Sequence, residues 1–374
     1  MGHGVNKRGY TANNGIGFDI SADTGKVLDF CVQSKYCHTC AVNKTSPAFE
    51  SFKSNHECDK NHDGSSSSME LSAAKEIWDN SLSNKGSRYR YMISDGDSKV
   101  YNTVCGTYGL CDLCIKYGAM RKTSAEYKEW IASDEYAKYT QEHEEETANC
   151  MCVYKLDCVG HVQKCLGKHL RTLHKAGGKL SDNKSVKGAR GRLTEPAIDR
   201  LQKYYGNAIR KSDDPEAKTT AEIEAAVSKM RNAIKAVLHH SVVTPDVKER
   251  HQYCPDGPES WCKYKRTGEN PMEKYHLNPP FLAFLTPTFN NLATDNLLKR
   301  CLPGYTQNSN ESINGMVWVR APKHKWHSIK RVKISVTSAI LRFNAGAGPR
   351  RDVMKRVNIN NTTAVDLGSH KKDT

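Results

Sequence analysis

No apolar run in this 374-residue chain approaches the roughly 18 to 20 residues that a membrane-spanning helix needs. No Lys-rich amphipathic helix with Trp or Phe on its apolar face stands out either, which argues against a membrane-surface protein. The first ten residues, MGHGVNKRGY, lack the apolar stretch of an export signal, and Asn6 breaks the myristoylation pattern. The chain is therefore expected to stay inside the cell. Acidic residues are in deficit: 41 Asp and Glu against 56 Lys and Arg leave a net charge of +15. That balance favours a polyanionic partner, most simply nucleic acid.

Cysteine, by contrast, is plentiful. Fourteen cysteines without an export signal point away from a disulfide framework and towards thiolates, some of them on zinc. The length suggests two domains, or one domain with large insertions. Hydrophobic residues at 37% and charged residues at 26% give an ordinary soluble balance.

Ile16 to Ile20 and Lys26 to Val32 read as a hairpin turned by Ala22, Asp23, Thr24 and Gly25. Cys37 and Cys40 follow as C-x2-C, a spacing at which one tight turn brings both sulfurs to a tetrahedral ion. His56 and Cys58 are positioned to close that site, and the competing reading is free cysteines. Ser67 and Glu70 have capping-box spacing ahead of a helix that buries Leu71, Ala74, Ile77 and Trp78 and runs to about Asn84. A strand at 89–93 then runs into SDGDS. Asp and Gly beside a strand ordinarily make a turn. A carboxylate just past a strand's end is also held rigidly while open to a ligand, which suits a metal.

Cys111 and Cys114 form a second C-x2-C, completed by His143 or by Cys150 and Cys152. Val162, Leu166, Leu170 and Leu173 have helical spacing, with Lys164, Lys168 and Arg171 on the other side. Taken alone, Cys158 and His161 read as packing residues. Residues 175–193 read as a flexible Gly-rich connector whose Lys187, Arg190 and Arg192 form a cationic strip. Helices are expected from Thr194 to about Lys211, and from a Thr219/Glu222 cap through Leu238. His251, Cys254 and Cys262 form either a metal knuckle with His239 or His240, or an aromatic loop. Asn308, Ser309 and Asn310 open a segment carrying Glu311, with Met316 to Val319 as its apolar side. Lys323, Lys325, Lys330 and Arg331 surround it with positive charge. A last helix near 336–343 precedes a Gly-rich basic tail expected to be mobile.

These pieces, in this order, resemble the catalytic region of a Mutator-like transposase, among the eukaryotic DDE transposases. The resemblance rests on KRGYTANNGIGFDISADTGKVLDF, SKYCHTC, GSSSSME, RYMISDGDSK, DCVGHVQK, GRLTEPAIDRLQKYYG, CPDGPESWC and TQNSNESINGMVW. It implies an α/β fold: an RNase H-like mixed sheet with helices, interrupted by a Cys-rich insertion and a helical insertion. The implied divisions are core at 1–104 with the zinc-candidate loop 37–58, a Cys-rich insertion at 105–152 and core again at 153–175. A basic linker and helical insertion at 176–300, core at 301–345 and a basic tail at 346–374 complete them.

By the same likeness Asp95 and Glu311 match the second and third catalytic acids, with Asp97 beside the site, and Cys158 and His161 match a C-x2-H signature. Such acids hold two Mg2+ (or Mn2+) ions about 4 Å apart for strand cleavage and transfer. Lys7, Arg8, Lys187, Arg190, Arg192, Lys323, Lys325, Lys330 and Arg331 would grip the DNA backbone. A nuclear location and a possible homo-oligomer follow from the same resemblance. The first acid belongs to a DGTW-like strand ahead of KRG, and Gly2 stands where it would fall. The expectation is a truncated, decayed or repurposed copy with impaired strand transfer. The alternative is a non-catalytic, zinc-stabilised DNA-binding or interaction protein.

Overall fold

The computed structural model describes residues 2–5, 12–94, 99–110, 129, 133–134, 151–270 and 274–359. The chain forms two compact units. The first comprises Met1–Met92, Ser98–Tyr154 and Gln307–Thr374, and the second comprises Ile93–Asp97 and Lys155–Thr306. The fold is mixed α/β, with helices predominating over two small sheets.

β1 (Gly2–Val5), β2 (Asn14–Ile20) and β3 (Val27–Ser34) form an antiparallel sheet with β2 in the middle. The expected hairpin joins β2 to β3, closed by Ser21 N donating to Lys26 O at 2.9 Å and by Gly25 at φ +66°. Pleating sends Ile16 and Phe18 to one face of β2 and Gly15, Gly17 and Asp19 to the other, and all five are buried. Two short helices, α1 (His38–Asn43) and α2 (Phe49–Asn55), carry the first cysteine motif.

The helix α3 (Ser68–Asp79) covers the glycine face of β2. A Cβ built on Gly17 would lie 3.0 Å from Ala73 Cβ, and one on Gly15 would lie 3.0 Å from Met69 Cβ, so the glycines permit the close approach. The capping box expected at Ser67 does not form. Ser67 is itself helical and caps nothing, and Ser65 Oγ accepts from Ser68 N at 3.2 Å instead. After α4 (Ser81–Lys85), β4 (Tyr91–Ser94) and α5 (Lys99–Val104), the strand β5 (Tyr154–Asp157) pairs with β4. Tyr154 N donates to Arg90 O, and Cys158 N to Ser94 O. Partners that advance in the same sense on both strands make this pair parallel. Both pairings that a mixed sheet combines are thus present, in separate sheets.

In the second unit, α6 (Val159–Ala176), α7 (Glu195–Arg210) and α8 (Thr220–Ser241) pack with α11 (Phe281–Asn291) and α12 (Asp295–Cys301) around one core. Leu166, Leu170, Ile198, Tyr205, Met230 and Phe281 are all but inaccessible within it. The two caps expected from sequence are formed. Thr194 accepts from Ala197 N, and Thr219 and Glu222 complete a reciprocal capping box. Between α8 and α11 lie the short helices α9 (Val247–His251) and α10 (Lys263–Thr267).

Residues 176–193 are not a flexible connector. Leu180, Val186 and Leu193 enter the core, and Val186 N bonds Gly178 O at 2.9 Å. Three apolar anchors in a polar stretch are enough to fold it back when a helical core offers them a surface. Asp157, the last residue of β5, is buried and held by Arg300 Nε at 2.7 Å.

The chain returns to the first unit in α13 (Asn308–Arg320), α14 (Ile329–Ala345) and α15 (Gly348–Arg356). Ile313 and Val317 of α13 and Val332, Val336 and Ala339 of α14 cover the Ile16/Phe18 face of the sheet. Two expectations are corrected here. Asn308, Ser309 and Asn310 are helical residues rather than caps. Of the apolar run at 316–319, Val317 is buried and Met316 and Trp318 pack against the core, but Val319 is 81% exposed and Ile313 joins the buried face instead. The last helix runs well beyond 336–343, opened by Ser328 accepting from Arg331 N, and part of the expected mobile tail is the ordered helix α15.

Candidate metal centres

Two groups of four Cys and His side chains converge among the described residues, each with its donor atoms within 4.8 Å of one another. Ligands about 2.3 Å (sulfur) and about 2.0 to 2.1 Å (nitrogen) from one tetrahedral zinc are separated by about 3.8 Å between sulfurs, about 3.6 Å between sulfur and nitrogen and about 3.3 Å between nitrogens. The donor separations below lie within about 0.3 Å of those edges, apart from a Cys40–His56 approach that is about 0.5 Å shorter.

The first group belongs to the first unit. Cys37 is the N-cap of α1 and Cys40 lies one turn on, so the C-x2-C spacing becomes a single helical turn. α2 ends immediately before His56, and Cys58 follows. Cys40 Sγ lies 3.5 Å from Cys58 Sγ and 3.1 Å from His56 Nε2, and Cys37 Sγ lies 3.6 Å from the same nitrogen. His56 Nδ1 stands 3.1 Å from Phe52 O, which fixes the proton on Nδ1 and turns the Nε2 lone pair towards the sulfurs. The ring stacks on Phe52 at 4.6 Å.

Burial pushes the Cys37 thiol up, but hydrogen bonding at the Cys40 backbone and the contact with His56 Nε2 outweigh it and bring the thiol down to about 6. Cys40 is driven the other way, to about 12, by its enclosure and then by the Cys58 and Cys37 sulfurs. Sulfurs this close cannot all ionise unless a cation sits among them.

The second group belongs to the second unit: His240 on the last turn of α8, His251 at the end of α9, Cys254, and Cys262 at the N-cap of α10. His240 Nδ1 lies 3.2 Å from His251 Nδ1 and 3.5 Å from Cys254 Sγ. His251 Nδ1 lies 3.3 Å from Cys262 Sγ and 3.8 Å from Cys254 Sγ. His251 Nε2 is 3.0 Å from Asn270 Oδ1, so its proton sits there and the Nδ1 lone pair faces the group. Sequence left His239 and His240 open, and knuckle against aromatic loop as well. The structure brings in His240, whereas His239 packs edge-on against Tyr253. The aromatic neighbours line the group itself, with Trp261 against His240 and Tyr264 stacked on His251. Burial pushes His240 down to about 4, and the charges of His251 and Arg250 add to the fall.

Among the described residues, the remaining candidates belong to neither group. Asp95, Asp97, Lys7, Arg8, Cys111 and Cys114 lie outside the described residues. Glu311 is exposed in the first turn of α13. Cys158 is the buried N-cap of α6 with His161 in the first turn, outside both groups. Lys187, Arg190, Lys325, Lys330 and Arg331 are exposed; Lys330 meets Glu57 at 3.1 Å, and Lys323 lies over the Trp318 ring.

Arg192 is a correction to the cationic strip. It is only 7% exposed, paired with Asp182 at 2.6 Å and set over Phe281, so a phosphate cannot reach it. A shallow basic groove of about 430 Å3 on α6 and α7, lined by Lys164, Lys168, Arg171, Thr172, Lys175 and Gln202, was not singled out from sequence. The alternating Lys spacing on the polar side of α6 was the available signal.

Comparison with known families adds one finding. A family model described as Mutator-like transposase matches residues 3–109 and 117–262. No curated protein and no solved structure matches.

Proposed function

The chain belongs to the Mutator-like transposase family, and from that premise we propose that it is a transposase-derived DNA-binding protein with an RNase H-like core and impaired strand cleavage. The family match, which spans both units, carries this reading. The element order supports it: an antiparallel three-stranded sheet, a covering helix, then a parallel strand pair. β4 stops at Ser94, and Asp95 is the next residue in the sequence.

In this reading Asp95 and Glu311 are the second and third acids, with Asp97, Cys158 and His161 in support, and their hard oxygen donors suit Mg2+ or Mn2+. Gly2, on β1 opposite Phe18, stands at the first acid's place and offers no carboxylate. Exposed Lys187, Arg190, Lys325, Lys330 and Arg331, with half-buried Lys323, hold the DNA backbone, and the protein acts in the nucleus. The Cys37/Cys40/His56/Cys58 group holds structural zinc, whose bonds take the place of a core for two short helices that bury no side chain. Gly2 also favours a second reading, a non-catalytic, zinc-stabilised DNA-binding protein.

The test is a DNA nicking and joining assay in Mg2+ with the full chain. Binding that weakens steeply with salt and an absence of nicking are expected from the chain as it stands. Gly2→Asp is expected to restore Mg2+-dependent nicking that Glu311→Ala abolishes, which would favour the first reading over the second. Strand joining by the unsubstituted chain would refute the impairment, and nicking indifferent to Glu311→Ala would refute the site.

A further inference from the structure

Between Val242 and Leu277 the second unit makes a long excursion whose described residues add no buried side chain to its hydrophobic core; among them only Tyr275 packs against it, and that only in part. What its described residues bury is polar or thiol: Thr244, Arg250, His251, Cys254, Ser260, Cys262 and His276. Arg250 is 2% exposed, and its Nε donates to His240 O at 3.0 Å, tying α9 to the end of α8. A segment that buries ionisable groups and no apolar cluster lacks the usual source of folding free energy.

We propose that His240, His251, Cys254 and Cys262 hold a second, closed structural zinc ion that stands in for a hydrophobic core under the excursion from Val242 to Leu277. This goes beyond the transposase reading and does not depend on it. The four donors come from α8, from α9, from the turn after α9 and from the start of α10, so one ion fastens four successive pieces of chain. All four positions are protein ligands, and three of the four side chains are buried, which is the closed arrangement of a structural site rather than the open one of a catalytic site. The outer contacts are in place as well. Asn270 fixes the His251 tautomer, and Ser260 Oγ accepts from Cys262 N at 3.1 Å, orienting the turn that carries the sulfur. Two thiolates balance the charge of the ion, so the site is neutral when filled.

The site predicts a local, metal-dependent fold. Removing the ion leaves two imidazoles and two thiols facing one another without compensation. The excursion should then open while α6, α7 and α8 keep their own packed core.

The experiment uses the full chain isolated with zinc present, with metal counted by mass spectrometry and local order read by amide hydrogen exchange. Two zinc ions per chain are expected from the described residues. His240→Ala should lower the count by one, His239→Ala should leave it unchanged, and Cys40→Ser with Cys58→Ser should remove the other ion. Chelation should abolish protection across residues 243–270 while protection in α6 and α7 persists. Should His240→Ala prove insoluble, His240→Cys, which restores a ligand, is expected to be soluble and to keep both ions. A count that His240→Ala leaves unchanged overturns the proposal, as do a Cys254 to Cys262 disulfide in the isolated chain, an exchange pattern indifferent to chelation, or a soluble His240→Cys chain that has lost an ion.

Discussion

Replacing Asp19 by Asn is expected to stabilise the first unit at neutral pH and to leave it unchanged near pH 4. Asp19 sits on the glycine face of β2, 9% exposed, and its Oδ2 has no hydrogen-bond partner among the described residues. Burial, with the nearby Asp29 carboxylate adding to it, lifts the group from 3.8 to about 6. The unfolded chain therefore releases this proton at lower pH than the folded one, and between roughly pH 4 and 6 it binds fewer protons. Stability falls as pH rises through that window and stays reduced above it. At about 1.4 kcal/mol per unit, a rise of about two units corresponds to roughly 3 kcal/mol, an upper figure, since a buried site can relax or admit water.

Asn keeps the shape and removes the charge. Amide exchange at β2 and β3, limited by opening of the sheet, should be slower in Asp19→Asn by up to about a hundredfold at pH 7.5, with the difference vanishing near pH 4. Equal protection at both pH values would refute the argument from burial. In the proposed reading the same burial makes Asp19 a poor substitute for a first acid at position 2, because it is held protonated up to about pH 6.

Two further outcomes follow from packing and charge. Gly17→Val drives a branched side chain into Ala73, an overpacking that should cost about 1 to 3 kcal/mol in thermal or urea unfolding, and Ala73→Gly in the same chain should recover most of it. Arg192→Ala should lower stability by freeing Asp182 and uncovering Phe281, while leaving the salt dependence of DNA binding unchanged. Lys187→Ala with Arg190→Ala should do the reverse, flattening the slope of log affinity against log salt by about 2 with no change in melting temperature.

The sequence by itself determined whatever depends on neighbours along the chain. The β2/β3 hairpin, the Thr194 and Thr219 caps, the stripe of α6, the helices α7 and α8 and the C-x2-C turn at Cys37 are all short-range, because turn chemistry, capping and side-chain periodicity act within a few residues. It also carried the family resemblance, since ordered motifs survive without reference to contacts.

Tertiary structure decided what depends on distant partners. Residues 176–193 look like a linker until a helical core offers Leu180, Val186 and Leu193 a surface, and Arg192 looks like a DNA contact until Asp182 and Phe281 enclose it. Ser67 lost its cap to Ser65, and α13 turned Ile313 inward beside Val317, Met316 and Trp318 while leaving Val319 of the apolar run exposed. His239 and His240 are adjacent in sequence, so spacing alone could not separate them. One helical step of about 100° carries one ring to Tyr253 and the other to His251, Cys254 and Cys262. Convergence of donors from four separate pieces of chain is a property of the folded backbone, which no local pattern encodes.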